Sequence, residues 1–144
     1  MRIERVAHAD DELVAAFARL LPQLSPNSAT PGLAELMEGV ADRDTTQLVA
    51  RADDGTIVGV LTLHLYRVPA GLNARIDDVV VDDAARGQGV GAQLTREAIR
   101  RAELAGARHV ELTSRTHREA AHRLYKRLGF LEHETTVFRL TLPR

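Results

Sequence analysis

The pattern of this chain predicts an α/β fold, a mixed central sheet flanked by helices, and two observations carry the prediction. The first is the run Val79-Val80-Val81, whose β-branched residues read as a buried strand. A short polar link and three alternating glycines, Gly87, Gly89 and Gly91, lead from it into a helical pattern with Leu94, Ala98, Ile99 and Ala102 on one face. The second is the order of patterns across all 144 residues: strand, two helices, three strands, helix, strand, helix, strand. This is a mixed α/β layer, and its one parallel crossover, through the glycine-loop helix, should be right-handed.

Taken in order, Arg2 to Ala7 forms a first strand on Ile3 and Val6. Asp10 caps a helix to about Leu21, with Leu13, Val14, Phe17, Leu20 and Leu21 inward and Asp11 and Glu12 suiting the positive end of its dipole. Pro22 to Ala29 is a loop by its Pro, Ser and Asn content. Thr30 as cap and Pro31 as first helical residue open a second helix to about Val40, with Leu33, Leu36, Met37 and Val40 on its face. Gln47 to Arg51 and Thr56 to Tyr66 are strands joined through Asp53-Asp54-Gly55, a hairpin signal. Pro69 to Asn73 turns the chain into the strand Ala74 to Val81. The helix Val90 to Ala105 follows, then a strand His109 to Thr113, a helix containing Tyr125, and a last strand Thr135 to Leu142 whose alternation is only roughly kept.

Composition narrows the function classes. At 144 residues the chain is read as one domain, residues 1–144, with core enough to stand without disulfides or metals. It is 44% hydrophobic and 27% charged with a net charge of −1, so no basic field points to nucleic acid or an anionic membrane. The absence of cysteine removes thiolate metal sites and a cysteine nucleophile. His117 and His122 are five apart and share no helix face; all six histidines read as surface or boundary residues, and no metal is expected. No stretch has membrane-spanning length and Met1 to Arg5 has no apolar leader, so the expected compartment is the cytoplasm.

Glycines at a strand-to-helix junction let backbone approach a ligand, and the helix start offers unpaired N–H groups and a positive dipole end. The natural guest is a phosphate or pyrophosphate. A nucleotide triphosphatase would need Lys and Ser/Thr after the last glycine, where Ala92-Gln93 stand. Gly87-x-Gly89-x-x-Ala92 fits the looser dinucleotide fingerprint, but Asp82 to Arg86 separate it from the strand, which leaves a dinucleotide-binding enzyme as a lesser alternative.

Arg86-Gly87-Gln88-Gly89-Val90-Gly91 resembles the coenzyme A pyrophosphate loop of the GNAT N-acetyltransferase family, Arg/Gln-x-x-Gly-x-Gly/Ala. Ala121-His122-Arg123-Leu124-Tyr125-Lys126-Arg127-Leu128-Gly129-Phe130 resembles that family's Ala-x-x-Leu/Phe-Tyr-x-x-x-Gly-Phe segment. The resemblance implies the family architecture of about six or seven strands and about four helices, and acetyl-coenzyme A as co-substrate. By position, the pantetheine arm would lie along Val79, Val80 and Val81, and the pyrophosphate would meet the N–H groups from Gly87 through Gln88, Gly89, Val90 and Gly91 to Ala92, with Arg86 nearby. Arg118 stands where many members carry a cofactor-contacting Asn.

Tyr125 falls beside the stripe Ala120, Ala121, Leu124 and Leu128, as an amphipathic boundary residue does; the resemblance makes it the acid that protonates the departing thiolate. An amine must shed a proton before it can attack, so a carboxylate base is sought. Asp77 and Asp78 sit on opposite faces by the two-residue period, and Glu111 on the neighbouring strand is a third candidate. Ile76-Asp77-Asp78 also resembles the Ile/Val-Glu-Asp strand of glucosamine-6-phosphate acetyltransferases, which favours Asp77. A backbone N–H around Val79 or Val80 is the expected oxyanion donor. The expected function is direct acetyl transfer to a primary amine of a small molecule or peptide; a non-catalytic acetyl-coenzyme A-binding module is the alternative from another class. The resembling family usually ends in two strands where one is expected here, which implies a homodimer through Thr135 to Leu142.

Overall fold

In a computed structural model that describes residues 1–143, the chain divides into two compact units, Met1–Thr113 and the residues from Ser114 onward. The first holds a five-stranded sheet in sequence order, β1 (Arg2–Arg5), β2 (Thr45–Arg51), β3 (Ile57–Val68), β4 (Gly71–Val81) and β5 (Val110–Glu111). β1 to β4 pair antiparallel, and β5 joins β4 in parallel through α3 (Val90–Leu104). The mixed sheet matches the sequence reading, with a strand count just below the six or seven expected.

Helix α1 (Asp11–Leu24) starts as its sequence dictates: the Asp10 carboxylate accepts the Leu13 N–H at 2.9 Å, with Asp11 and Glu12 in the first turn. It runs two residues past Pro22, because a proline in the last turn forfeits a single helical bond and Ser25 N–H still closes onto Leu21 O at 3.1 Å. Leu13, Ala16, Phe17, Leu20 and Leu21 pack on Val49, Ile57, Val60 and Val80, one face of the sheet. Helix α2 (Leu33–Ala41) has Gly32 as its N-cap, later than the Thr30-Pro31 signal predicts, and buries no residue. Leu36 touches the α1 core, whereas Leu33 and Met37 of the expected inward face are exposed.

The other face belongs to α3. Leu94, Thr95, Ala98 and Ala102 are buried, and the facing strands supply Leu48, Leu61, Leu63 and Ile76, each fully covered. Contact is close at Gly59, where an added Cβ would stand 2.9 Å from Val90 Cγ1, 3.0 Å from Leu94 Cδ1 and 3.4 Å from Val80 O. Glycine is what lets the first turn of α3 sit on the sheet.

The ladder of β3 and β4 is set by a two-residue turn, Pro69-Ala70, which pairs Val68 with Gly71 and runs on to Thr62 with Asp77. The register then slips: Val60 pairs with Val80, so Asp78 and Val79 together oppose Leu61 in a β-bulge. Asp78 takes φ 50°, the left-handed region that an aspartate tolerates better than most residues. Beyond the β5 pairings Ala74 with Val110 and Arg75 with Glu111, the end of β4 has β3 as its only strand partner among the described residues. The expected strand His109 to Thr113 thus shortens to Val110–Glu111.

The second unit contains α4 (Glu119–Arg127), closed by Gly129 at φ 99° with Phe130 N–H donating to Tyr125 O at 3.0 Å. Thr135 to Leu142, expected as a strand, has no strand pairing among the described residues. Val137, Phe138, Leu140 and Leu142 are 65–92% exposed, consistent with an alternation too irregular to present one apolar edge. The strand expected to carry a homodimer is therefore not among the strands of this structure. Among the described residues no helix is long and apolar enough to cross a membrane.

Gly59→Ala is expected to destabilise the protein by about 1–3 kcal/mol through overpacking against Val90. The pair Gly59→Ala/Val90→Ala should cost less than the sum of the single changes in urea denaturation, because the smaller side chain vacates the space the new methyl needs.

Candidate active site

The strand, turn and helix read from the sequence are held together by α1. Asp82 N–H donates to Val58 O at 2.8 Å as β4 ends, and its carboxylate meets Arg19 Nε at 3.5 Å and accepts the Ala84 N–H at 3.2 Å. Asp83 N–H donates to Gln23 Oε1 at 2.9 Å. What the sequence presents as a polar link is a 3-10 turn, Asp83–Ala85, with Ala85 buried beneath it.

Gly87 and Gly89 both take φ 78°, and a Cβ at either would meet nothing within 4 Å. Open space therefore lies beside this backbone. Gly89 caps α3 with no side chain in attendance, and the first helical bond is Gln93 N–H to Gly89 O at 3.0 Å. The N–H groups of Val90, Gly91 and Ala92 stand at the open end of the helix, where the dipole favours an anion. Gln88 and Arg86 are exposed at its rim; Arg86 pairs with Asp83 at 2.9 Å. A pyrophosphate group fits this donor set, and at Val79, Val80 and Val81 the edge of β4 away from β3 has no strand partner among the described residues, which leaves backbone for an extended ligand.

The bulge changes how the candidate carboxylates are presented. Asp77 pairs with Thr62 and Val80 with Val60, so Asp77 and Val80 share the α1 face although three positions apart. The simple alternation expected for Asp77 and Asp78 does not hold across this point, because Asp78 occupies the bulge itself. Asp77 is gripped by Arg75 Nε at 3.3 and 3.2 Å, and His64 Nε2 lies 3.7 Å from its Oδ2. Asp78 is exposed as a residue, but partial loss of water around its carboxyl, reinforced by the charge of Asp77 and opposed by His64, raises its pKa above the ordinary 3.8. Glu111 is exposed and pairs with His109 at 3.3 Å.

In the second unit, the Tyr125 ring meets Phe130 edge-on at 5.7 Å. Burial raises its phenol above the ordinary 10.0 while the charge of Arg118 opposes the shift, so the hydroxyl is protonated at neutral pH. Arg118 is the residue before α4 and offers no side-chain cap to it.

His64, read from the sequence as a surface or boundary residue, stands beside these carboxylates. The signal was present in the tight turn: a two-residue loop after Val68 fixes the pairings that bring His64 opposite Arg75 and next to Asp77.

The GNAT acetyltransferase family model matches residues 9–130. The chain belongs to that family. It is similar to an aminoalkylphosphonate N-acetyltransferase of Salmonella typhimurium, 37% identical over 79 residues, 54% of this chain and 51% of that protein. It is also similar to an uncharacterized N-acetyltransferase of Methanocaldococcus jannaschii, 43% identical over 61 residues, 42% of this chain and 27% of that one. The matches thus span about half or less of these relatives' length. Among solved structures, a putative acetyltransferase from Agrobacterium tumefaciens superposes with a TM-score of 0.82 at 25% identity, covering 99% of this chain and 100% of that one. An aminoglycoside acetyltransferase from an uncultured soil metagenomic sample shares the fold with a TM-score of 0.85 at 22% identity, covering 99% and 96%.

A carboxyl whose pKa is higher folded than unfolded holds its proton more tightly in the folded protein, so stability falls as pH rises through the window just above 3.8. Asp78→Asn removes that charge and suits the left-handed backbone. The variant is expected to melt higher than wild type at pH 7, with the difference vanishing below the ordinary aspartate range; equal melting temperatures at pH 7 would contradict it.

Proposed function

We propose that this chain is an acetyl-coenzyme A-dependent N-acetyltransferase that moves the acetyl group directly to a primary amine of a small molecule or peptide. The observation that carries the reading is one continuous unit, the bulged end of β4 running into the glycine turn and the uncapped start of α3. Gly87 to Ala92 would hold the pyrophosphate through backbone N–H groups, and Val79 to Val81 would hold the pantetheine arm. Bound there, acetyl-coenzyme A supplies an activated thioester. From Val81 back to Asp77 the strand crosses three rungs of its ladder with β3, about 10 Å at the usual rise, so Asp77 and the bulged Asp78 lie up the same strand from the turn.

The chain's own groups then divide the proton work. Asp77 and Asp78 give the acceptor side negative charge that attracts an ammonium. A backbone N–H at Val79 or Val80 suits a developing oxyanion. Tyr125, kept protonated, is assigned the proton for the leaving sulfur, and Arg118 a contact to the cofactor. The name of the Salmonella relative makes an aminoalkylphosphonate the first acceptor to test.

Free thiol released from acetyl-coenzyme A in the presence of an amine panel headed by an aminoalkylphosphonate tests the reading. Amine-dependent release is expected. Calorimetric binding of acetyl-coenzyme A without any amine-dependent release would make the chain a binding module instead.

Two variants probe the parts. Gly91 lies in the first turn of α3 outside the left-handed region, so Gly91→Val adds a side chain there without imposing a forbidden backbone. It is expected to lose measurable acetyl-coenzyme A binding while its melting temperature stays near wild type, whereas Gly89→Val adds backbone strain of roughly 1–2 kcal/mol. Unchanged affinity in folded Gly91→Val would clear this loop of the role. Tyr125→Phe keeps the ring and removes the hydroxyl; kcat should fall about 10²–10⁴-fold with acetyl-coenzyme A affinity retained. Wild-type turnover in that variant would assign the proton to solvent or another group.

A further inference from the structure

The face of the sheet shared by Val60 and Val80 continues past the cover of α1 as a run of polar side chains, Gln47, Thr62, His64, Arg75 and Asp77. Gln47 is consumed structurally: its Oε1 accepts from the Thr62 hydroxyl at 2.8 Å and its Nε2 donates to Leu61 O at 3.1 Å. Beyond it, contacts run through one histidine. Thr45 Oγ1 lies 3.1 Å from Asp42 Oδ2 and 3.1 Å from His64 Nδ1. His64 Nε2 lies 3.7 Å from Asp77 Oδ2, and Asp77 is braced by Arg75, whose guanidinium also donates to Thr113 Oγ1 at 3.3 Å.

This chain of contacts fixes which nitrogen of His64 carries its proton. A carboxylate can only accept, so the Thr45 hydroxyl gives its one proton to Asp42 and turns a lone pair toward Nδ1. Nδ1 must then be the protonated nitrogen. Nε2 is left with a free lone pair, too far from Asp77 for a direct hydrogen bond yet near enough for that carboxylate to stabilise the imidazolium once formed. The charged groups that face this ring are Asp42 before β2 and Arg75, Asp77 and Asp78 on β4; Arg75 is already committed to Asp77. The ring and the Asp77 carboxylate are 39% and 38% exposed, open to an incoming amine.

We propose that His64, not a carboxylate, is the general base for the acceptor amine, with Thr45 and Asp42 holding its tautomer and Asp77 stabilising its charged form. The inference rests on the acetyl-transfer reading above. An acceptor ammonium loses two protons in becoming an amide. The first goes to His64 Nε2, which frees the nitrogen pair to form the C–N bond, and then to water. The second leaves nitrogen as the C–S bond breaks; the sulfur departs with that electron pair and takes up a proton. An imidazole suits the first transfer because its ordinary titration lies nearest neutral pH.

His64→Gln is expected to lower kcat/KM for an accepted amine about 10²–10⁴-fold and to abolish the acidic limb of its pH profile. Acetyl-coenzyme A affinity by calorimetry should be unchanged, and added imidazole should restore part of the rate to His64→Ala. In the free protein, long-range proton–nitrogen NMR spectra should show His64 as the Nδ1–H tautomer, and Thr45→Val should erase that preference. A wild-type enzyme that acetylates an amine while His64→Gln keeps its rate and pH profile overturns the base assignment alone, and an Nε2–H tautomer overturns it as well. Absence of transfer to any amine by the wild type removes the acetyl-transfer reading, and the base role with it.

Discussion

The placement of nearly every candidate site residue in the first unit depends on the ladder between β3 and β4. The turn at Pro69-Ala70 fixes its register from one end, and the bulge at Asp78-Val79 resets it before the strand ends. Between the two, Asp77 is brought beside His64 and Arg75; beyond the bulge, Val80 returns to the apolar face under α1. In a regular strand without the bulge, Asp77 and Val80, three positions apart, would project from opposite faces, and either the carboxylate would face the α3 core or the valine would leave the α1 core. The bulge therefore reconciles a buried apolar core with a polar working surface along a single strand.

The two helices on either side hold the end of that strand in different ways. α1 reaches it through polar contacts, Arg19 to Asp82 and Gln23 to the Asp83 N–H. α3 reaches it by close packing, with Val90 and Leu94 against a strand that has no side chain at Gly59. Directional bonds set the path of the turn and packing sets the depth of the helix end. The open N–H groups of α3 are thereby held in place by residues that need not touch a ligand themselves.

The parts legible in the sequence were those whose physics is local. Val79-Val80-Val81 followed by spaced glycines specifies a strand, a turn and an uncapped helix within one short stretch, and α1 announces itself through Asp10 and its apolar spacing. The start of α2 was misplaced because Thr30-Pro31 is a good local cap, while the helix takes Gly32 as its N-cap and packs through Leu36 alone among its residues on the α1 core. The bulge left no local mark beyond an aspartate able to adopt a positive φ, and its existence depends on a partner strand. His64 was passed over for the same reason. A histidine alone on a strand reads as a boundary residue until Asp77, Thr45 and Asp42 arrive from two other segments of the chain.

The tight turn at Pro69-Ala70 also determines where this protein can change length. A one-residue change there that slid β3 against β4 would turn the polar surface inward, so the ladder constrains length in that hairpin even though the turn is exposed. The connection from Ser25 to Gly32, between α1 and α2, carries no ladder and answers to no register. It can lengthen or shorten at little entropic cost. Variation in chain length is therefore channelled toward the helical side of the sheet, where a new loop leaves the pairing of β3 with β4 undisturbed.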